Sequence, residues 1–345
     1  MRVVVVGASG NVGTALLAAL AHEPVVTSLV GVARRVPRAD GSSTVRFPHD
    51  AATWVRVDLS APVPDGAPDP LHEAFAGADV VVHLAWAVQP SHERELLRRT
   101  NVGGTRRVLD AAAEAGVRHV VLASSVGAYS ASPVETPRRE DWPARGITSS
   151  GYSVDKTVAE DLLAEHSRRH PGTVFTAVRS AIVVQREAAS EIARYFLGPL
   201  AALPLRRDGT VPVLVWPEGL RLQVVHAADL ADAYRRIVVQ RQPGVFNVAA
   251  DDILHAQDVA DVVADGKLRL VAARTARTAV DAAWRLRALP MDPGWVDLAL
   301  GAPVLDTSLA RTLLRWSPTR TSREAITELA AGFADDATPA SPPLL

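Results

Sequence analysis

The sequence predicts an α/β protein, a Rossmann-type doubly wound parallel sheet with a smaller C-terminal substrate-binding lobe. Three observations predict it. Short β-branched runs alternate with Ala/Leu-rich stretches through the first half of the chain. The first run, Val3-Val4-Val5-Val6, leads straight into a glycine-rich turn. Most of the runs are continuously apolar, as strands buried on both faces of a parallel sheet must be.

In chain order, residues 3–6, 25–33, 54–57, 80–83, 117–123 and 174–178 read as strands, because β-branched side chains concentrate there. Residues 11–22, 93–115 and 152–170 read as helices between them. Strand–helix alternation implies right-handed crossovers and one parallel sheet. Beyond about Ser180 the alternation breaks. Residues 188–203 and 227–240 look helical, and 211–216, 222–225 and 244–248 look extended. The implied organisation is a dinucleotide-binding domain over 1–180 and a lobe over 181–336, interleaved with the first. Loops fall at 36–50 and at the proline-rich stretch 61–70, and a disordered tail at 337–345.

Composition narrows the function. A formal net charge of -1 offers no electrostatic attraction for nucleic acid or an acidic membrane. The absence of cysteine excludes disulfides, thiolate metal sites and cysteine nucleophiles, and fits a cytoplasmic protein. Ten histidines show no HxH or HExxH spacing, so no metal is expected. No apolar run reaches the roughly 18 residues of a membrane helix, and four valines are too few for a signal peptide.

Two patterns carry chemistry. Gly7-Ala8-Ser9-Gly10-Asn11-Val12-Gly13 follows a strand and opens a helix. Glycines there let the backbone approach a pyrophosphate, which sits at the positive helix N-terminus. The second strand ends Ala33-Arg34-Arg35, with no carboxylate where a ribose 2′-hydroxyl would be held. A guanidinium fork suits a 2′-phosphate, which favours NADP over NAD. Further on, Tyr152 and Lys156 stand four residues apart, on one face of a helix. A nearby cation favours a phenolate, so Lys156 is expected to lower the Tyr152 pKa from about 10. That would make Tyr152 a general acid or base near neutral pH.

In these residues the chain resembles the extended short-chain dehydrogenase/reductases, the NAD(P)-dependent epimerase/dehydratase group, over roughly residues 1–250. The match also rests on Asp58-Leu59, His83-Leu84-Ala85-Trp86, Asn101-Val102-Gly103-Gly104-Thr105, Ser124-Ser125 and Leu222 to Ala231. The resemblance implies that Asp58 and Leu59 flank the adenine, and that Leu84, Ala85 and Trp86 line the nicotinamide side. It implies that Asn101 orders the central helix and that Lys156 holds the nicotinamide ribose. Ser125 would be the catalytic serine, with Ser124 the alternative register, and a homodimer would form through helices 93–115 and 152–170.

Departures from the group's pattern narrow the reaction. Val126-Gly127 follow Ser125 where the sugar dehydratases carry Asp-Glu, so water elimination is disfavoured. The segment Arg179-Ser180-Ala181-Ile182-Val183-Val184-Gln185 lacks the Asn and Pro of the nucleotide-sugar enzymes. The first reading is therefore an NADP-dependent oxidoreductase acting on a small carbonyl or alcohol substrate. An NAD(P)-dependent epimerase of a sugar or nucleotide sugar is the alternative, and a non-catalytic NADP-sensing module the third. Trp86, Val88, Gln89, Tyr129, Ile182, Tyr195 and Phe196 are candidate pocket residues, and Arg194 and Arg221 candidate anion contacts. His226 and Asp229 are expected to cap the helix that follows them, Asp155 to be a surface charge, and Trp284, Trp295 and Trp316 to be packing residues.

Overall fold

In the computed structural model, residues 1–37, 45–64, 66–89, 91–189 and 210–335 are described. Most of the expected helix at 188–203, with Arg194, Tyr195 and Phe196, lies outside them, as does the tail at 337–345. Seven parallel strands form one sheet: β1 (Arg2–Val6), β2 (Ser28–Ala33), β3 (Thr53–Arg56), β4 (Val80–His83), β5 (His119–Ala123), β6 (Val174–Ser180) and β10 (Gly244–Val248). Their order is β10-β6-β5-β4-β1-β2-β3. The order reverses between β1 and β4, where Val6 pairs both Val32 and His83. Crossovers leave to opposite faces at that point, which opens a crevice at the carboxyl ends of the strands.

Helices cover both faces. On one, α1 (Asn11–Ala21) and α6 (Ala227–Gln240) bury Leu16, Leu17, Leu20, Tyr234 and Ile237 against Val3, Val5, Val80 and Val82. On the other, α2 (Pro70–Phe75), α4 (Gly104–Glu114) and α5 (Gly151–Arg169) bury Leu71, Phe75, Val108, Leu109, Leu162 and Leu163. Each fully buried side chain of this size contributes about 1.5–3 kcal/mol by leaving water.

The expected helix at 93–115 is three consecutive pieces. After α3 (Arg94–Arg98) comes a wide π turn, Arg99–Gly103, before α4 begins. The bulge turns Asn101 inward, where its amide donates to the Ala87 carbonyl (3.1 Å) and accepts from the Ala87 N–H (2.7 Å). The loop after β4 is thereby tied to the helix layer.

Asp155 corrects the expectation of a surface charge. It is 1% exposed and accepts two 2.6 Å bonds from the guanidinium of Arg94, with Arg98 at 3.4 Å. The i, i+4 spacing of the two arginines on α3 places both over one carboxylate.

The chain leaves the main sheet after β6 and later rejoins it. After β6 the chain forms β7 (Ile182–Val184) and β8 (Leu214–Pro217), then returns through β9 (Val224–His226) to α6 and β10. Strand 244–248, expected in the irregular half, is the seventh strand of the main sheet. The lobe proper has its own core of Val184, Trp216, Val224, Leu254, Val259 and Ile326. It comprises β8 paired with β11 (Leu268–Val271), α7 (Ala256–Val263) and α10 (Ser322–Ala334). Helices α8 (Ala273–Arg285) and α9 (Pro293–Gly301) lie between, and α9 returns to α5.

Asp155→Ala strands two arginines beside a buried hole, and the exposure of those arginines softens the loss. A stability decrease of about 2–3 kcal/mol in urea titration is expected; no change in midpoint would mean that the α3–α5 contact is held by packing alone.

Candidate functional site

The glycine turn is shaped by close approaches. Gly7 has φ +90°, and a Cβ there would lie 2.6 Å from the Ala85 nitrogen. A Cβ on Gly13 would lie 2.3 Å from the Gly7 carbonyl oxygen. Around Gly10, by contrast, a Cβ would meet only the Gly7 oxygen, at 3.5 Å. The side of the turn facing the crevice is therefore bare backbone. Gly10 also starts α1 without a side-chain cap, leaving the helix N-terminus to an external acceptor. Ser9, Asn11 and Val12 complete the turn, and the buried Asn11 Oδ1 has no hydrogen-bond partner. Bare backbone and an uncapped 11-residue helix fit a dinucleotide pyrophosphate, whereas the Asn11 Oδ1 is an acceptor and calls for a donor.

Arg34 and Arg35 are exposed just past β2. Burial opposes ionisation of Asp58, but hydrogen bonds from Ser60 and the charge of Arg34 hold its carboxyl below the usual range. Arg107 donates to the Asp58 and Ala61 carbonyls (3.0 and 3.1 Å) and so fixes this loop. The Leu59 side chain is buried under α4, where Gly104 leaves room for it.

Leu84, Ala85 and Trp86 are half-buried on the loop after β4. Ser125, Tyr152 and Lys156 converge beside them. The Ser125 Oγ accepts from the Gly127 N–H (3.1 Å) and hydrogen-bonds Tyr152. Ser124 instead donates to Glu160, which is held by Arg179 (2.9 and 2.6 Å). The geometry thus selects Ser125 over Ser124 as the serine facing the phenol.

Lys156 is 3% exposed. Its ammonium donates to the Ala123 carbonyl (2.8 Å) and lies 3.5 Å from the centre of the Trp86 ring, but 5.8 Å from that of Tyr152. Burial pushes the Lys156 ammonium down to about 7, and the charge of Glu160 opposes it only in part. The expectation that Lys156 lowers the Tyr152 pKa is corrected here. Burial raises the phenol, and the Ser125 hydrogen bond opposes it without cancelling it. Desolvation penalises the charged form of both groups, and a lysine near its own pKa is a weak source of field.

His83, buried beneath, is pushed down to about 3 by burial and by Lys156. Its Nε2 lies 3.0 Å from the Thr105 hydroxyl, which donates to the Asn101 carbonyl (2.6 Å). With that hydroxyl proton committed, His83 is the donor and is neutral.

Other candidates lie elsewhere. Tyr129 is fully buried, with its hydroxyl donating to Asn247 (2.7 Å), and so lines no pocket. Ile182 is exposed. Val88 and Gln89 lie on the loop after β4. Arg221 donates to the carbonyls of Ser132, Pro133, Val134 and Ala302, which makes it a loop clamp. His226 caps α6 by accepting from the Ala228 N–H (3.1 Å), and Asp229 accepts from Thr319 (2.6 Å) and the Arg320 N–H (3.1 Å). Trp316 is the packing residue expected, and Trp284 stacks on His92. Trp295 is not merely a lobe residue. Its ring centre is 5.1 Å from that of Tyr152, and Leu298 of the same helix approaches Gly127. The only local signal was Asp292-Pro293-Gly294, a helix start, which says nothing of what the helix touches.

The profile of the NAD dependent epimerase/dehydratase family matches residues 3–249, and the chain belongs to that family. An uncharacterised Mycobacterium tuberculosis protein is 29% identical over 258 residues, 73% of this chain and 63% of that protein. The chain thus spans less than two thirds of the length of the first relatives it matches. L-arabinose 1-dehydrogenase (NAD(P)(+)) of Haloferax volcanii is 30% identical over 179 residues, 49% of this chain and 62% of that one. Among solved structures, a UDP-galactose 4-epimerase is 25% identical with TM-score 0.66, covering 97% of this chain and 99% of its own. MoeE5 in complex with UDP-glucuronic acid and NAD shares the fold at 21% identity and TM-score 0.70, over 97% and 100%.

Lys156 and Lys267 are the chain's two lysines, so protein carrying ε-13C-lysine gives two resolvable side-chain signals. The Lys156 signal is expected to titrate near 7. Glu160→Gln should move that midpoint lower, because Glu160 favours the charged form. A midpoint at the ordinary lysine value of about 10.4 would show a solvated ammonium.

Proposed function

We propose that the chain is an NAD(P)-dependent enzyme that interconverts an alcohol and a ketone at one carbon of a sugar or nucleotide sugar. The observation that carries this is the hydrogen-bonded Ser125–Tyr152 pair, with Lys156 one turn along α5 and the glycine turn across the crevice. Gly7, Ser9, Gly10, Asn11, Val12 and Gly13 would cradle the pyrophosphate. Asp58 and Arg34 would stand at the adenosine ribose, and Lys156 at the nicotinamide ribose. The bound dinucleotide supplies or accepts the hydride. Ser125 holds the substrate oxygen by a hydrogen bond, and Tyr152 delivers or removes that oxygen's proton. A phenol raised by burial is a proton donor at neutral pH, so removing the alcohol proton needs a cation brought closer than Lys156 now stands.

The epimerase form, in which one carbon is oxidised and then reduced from its other face, stands first. The likeness to UDP-galactose 4-epimerase supports it. Net oxidation or reduction of a small carbonyl or alcohol with NADP is the second reading, favoured by Arg34 beside Asp58 and by the apolar segment at 181–184. A homodimer through α3–α5 belongs to the same proposal. Among the described residues no helix is long and apolar enough to cross a membrane.

Incubation with UDP-glucose, UDP-galactose and UDP-glucuronic acid, followed by NMR of the sugar, separates the two forms. An epimer formed without net change in nicotinamide absorbance supports the first, and steady absorbance change on small carbonyls the second. Tyr152→Phe should lower turnover at least about 100-fold while cofactor affinity stays within about threefold. Equal activity in that variant would sink catalysis by Tyr152, and a wild type that binds cofactor but turns over no substrate would leave the non-catalytic NADP-sensing module.

Cofactor choice is checked by calorimetric titration with NADPH and NADH. A tenfold preference for NADPH, about 1.4 kcal/mol, that disappears in Arg34→Ala is expected if Arg34 holds a 2′-phosphate. Equal or tighter binding of NADH would assign the site to NAD.

A further inference from the structure

Helix α9 lies beyond the segment that matches the family, yet it reaches the catalytic phenol. Its attachment is specific. Asp292 caps it by accepting from the Gly294 N–H (2.8 Å). A Cβ on Gly294 would lie 2.2 Å from the Ser149 oxygen and 2.9 Å from the Ser150 Cα, so only glycine allows this approach. Asp297 is bonded to Ser149 and to Arg277 (2.7 Å). Ser150 is the N-cap of α5, two residues before Tyr152. The same turn therefore sets the position of Trp295 and of the phenol.

The two aromatic neighbours of Tyr152 differ in orientation. Trp295 lies tilted at 38°, with ring centres 5.1 Å apart. Trp86 stands edge-on at 76° and 6.1 Å. Leu298 closes the side toward Gly127. Polarity near the phenol hydroxyl comes from Ser125. Trp295 also differs from a core tryptophan such as Trp316, which is 1% exposed, because it is only partly buried.

We propose that Trp295 is a specificity-determining wall of the site, on which a substrate lays the apolar face of a ring. The carbinol or carbonyl carbon is then borne on a six-membered ring, a pyranose or a carbocycle, rather than on an open chain. A flat indole beside one polar hydroxyl pair suits a ring that presents C–H bonds to Trp295 and a single oxygen to Ser125 and Tyr152. This inference rests on the redox reading above.

The test compares wild type, Trp295→Phe, Trp295→Leu and Trp295→Ala, with NADH and NADPH, or NAD and NADP, supplied. The ring probes are cyclohexanone and UDP-glucose; the open-chain probe is 2-hexanone, with the carbon count of cyclohexanone. Wild type is expected to favour the ring probe of the ketone pair in kcat/KM. In Trp295→Leu and Trp295→Ala that preference should fall about tenfold, carried by a higher KM, with Trp295→Phe intermediate. Cofactor affinity by calorimetry and near-ultraviolet circular dichroism report on folding in every variant, and Trp295→Phe keeps an aromatic face at the position if the aliphatic variants unfold. Equal losses on ring and open-chain ketones, a loss confined to kcat, or an open-chain preference in wild type would overturn the proposal. The redox reading fails differently, through wild type inert on every probe or Tyr152→Phe as active as wild type.

Discussion

The burial of one ammonium organises the centre of this protein. Lys156 is held away from water by a backbone carbonyl and the face of Trp86, and the nearby carboxylate that favours its charge is already committed. Glu160 is held bidentate by Arg179 and accepts from Ser124. An ion pair with Arg179 spends much of its field there, and Lys156 keeps the remainder. A cation–π contact contributes about 0.5–2 kcal/mol, too little to repay full desolvation of an ammonium. Its proton is therefore loosely held, and His83 beneath it stays neutral.

Around that group, the fold spends its tightest contacts on positioning. The loop after β4 carries Trp86 and is tied by the Asn101 amide across a π turn. Helix α5 carries Tyr152 and Lys156, and it is fixed at its first turn by α9 and one turn later by Asp155 with Arg94 and Arg98. The glycine turn approaches Ala85 so closely that no side chain fits at Gly7. Three segments far apart in sequence thus hold one short stretch of helix. This is the rigidity that a reacting geometry requires.

Much of this was legible in the sequence. The four-valine strand, the glycine turn, α6 and the last strand of the main sheet follow from runs whose side-chain period and flanking residues are local. Tyr152 and Lys156 could be paired because a helix brings residues four apart onto one face. The π turn could not be read, because it arises from Asn101 reaching Ala87 in another element. Asp155 looked like a surface charge because its partners stand on α3, some sixty positions earlier.

By itself, the sequence determined the strand–helix alternation that implies an α/β sheet, the dinucleotide-type turn and the Tyr152/Lys156 pair, since each depends on neighbours within a few residues. Ser125 came from the resemblance to the family. Only the tertiary structure decided which serine faces the phenol, that burial raises rather than lowers the Tyr152 pKa, and that Trp295 adjoins it. Those outcomes depend on desolvation and on contacts between distant segments, and both are properties of the packed chain as a whole.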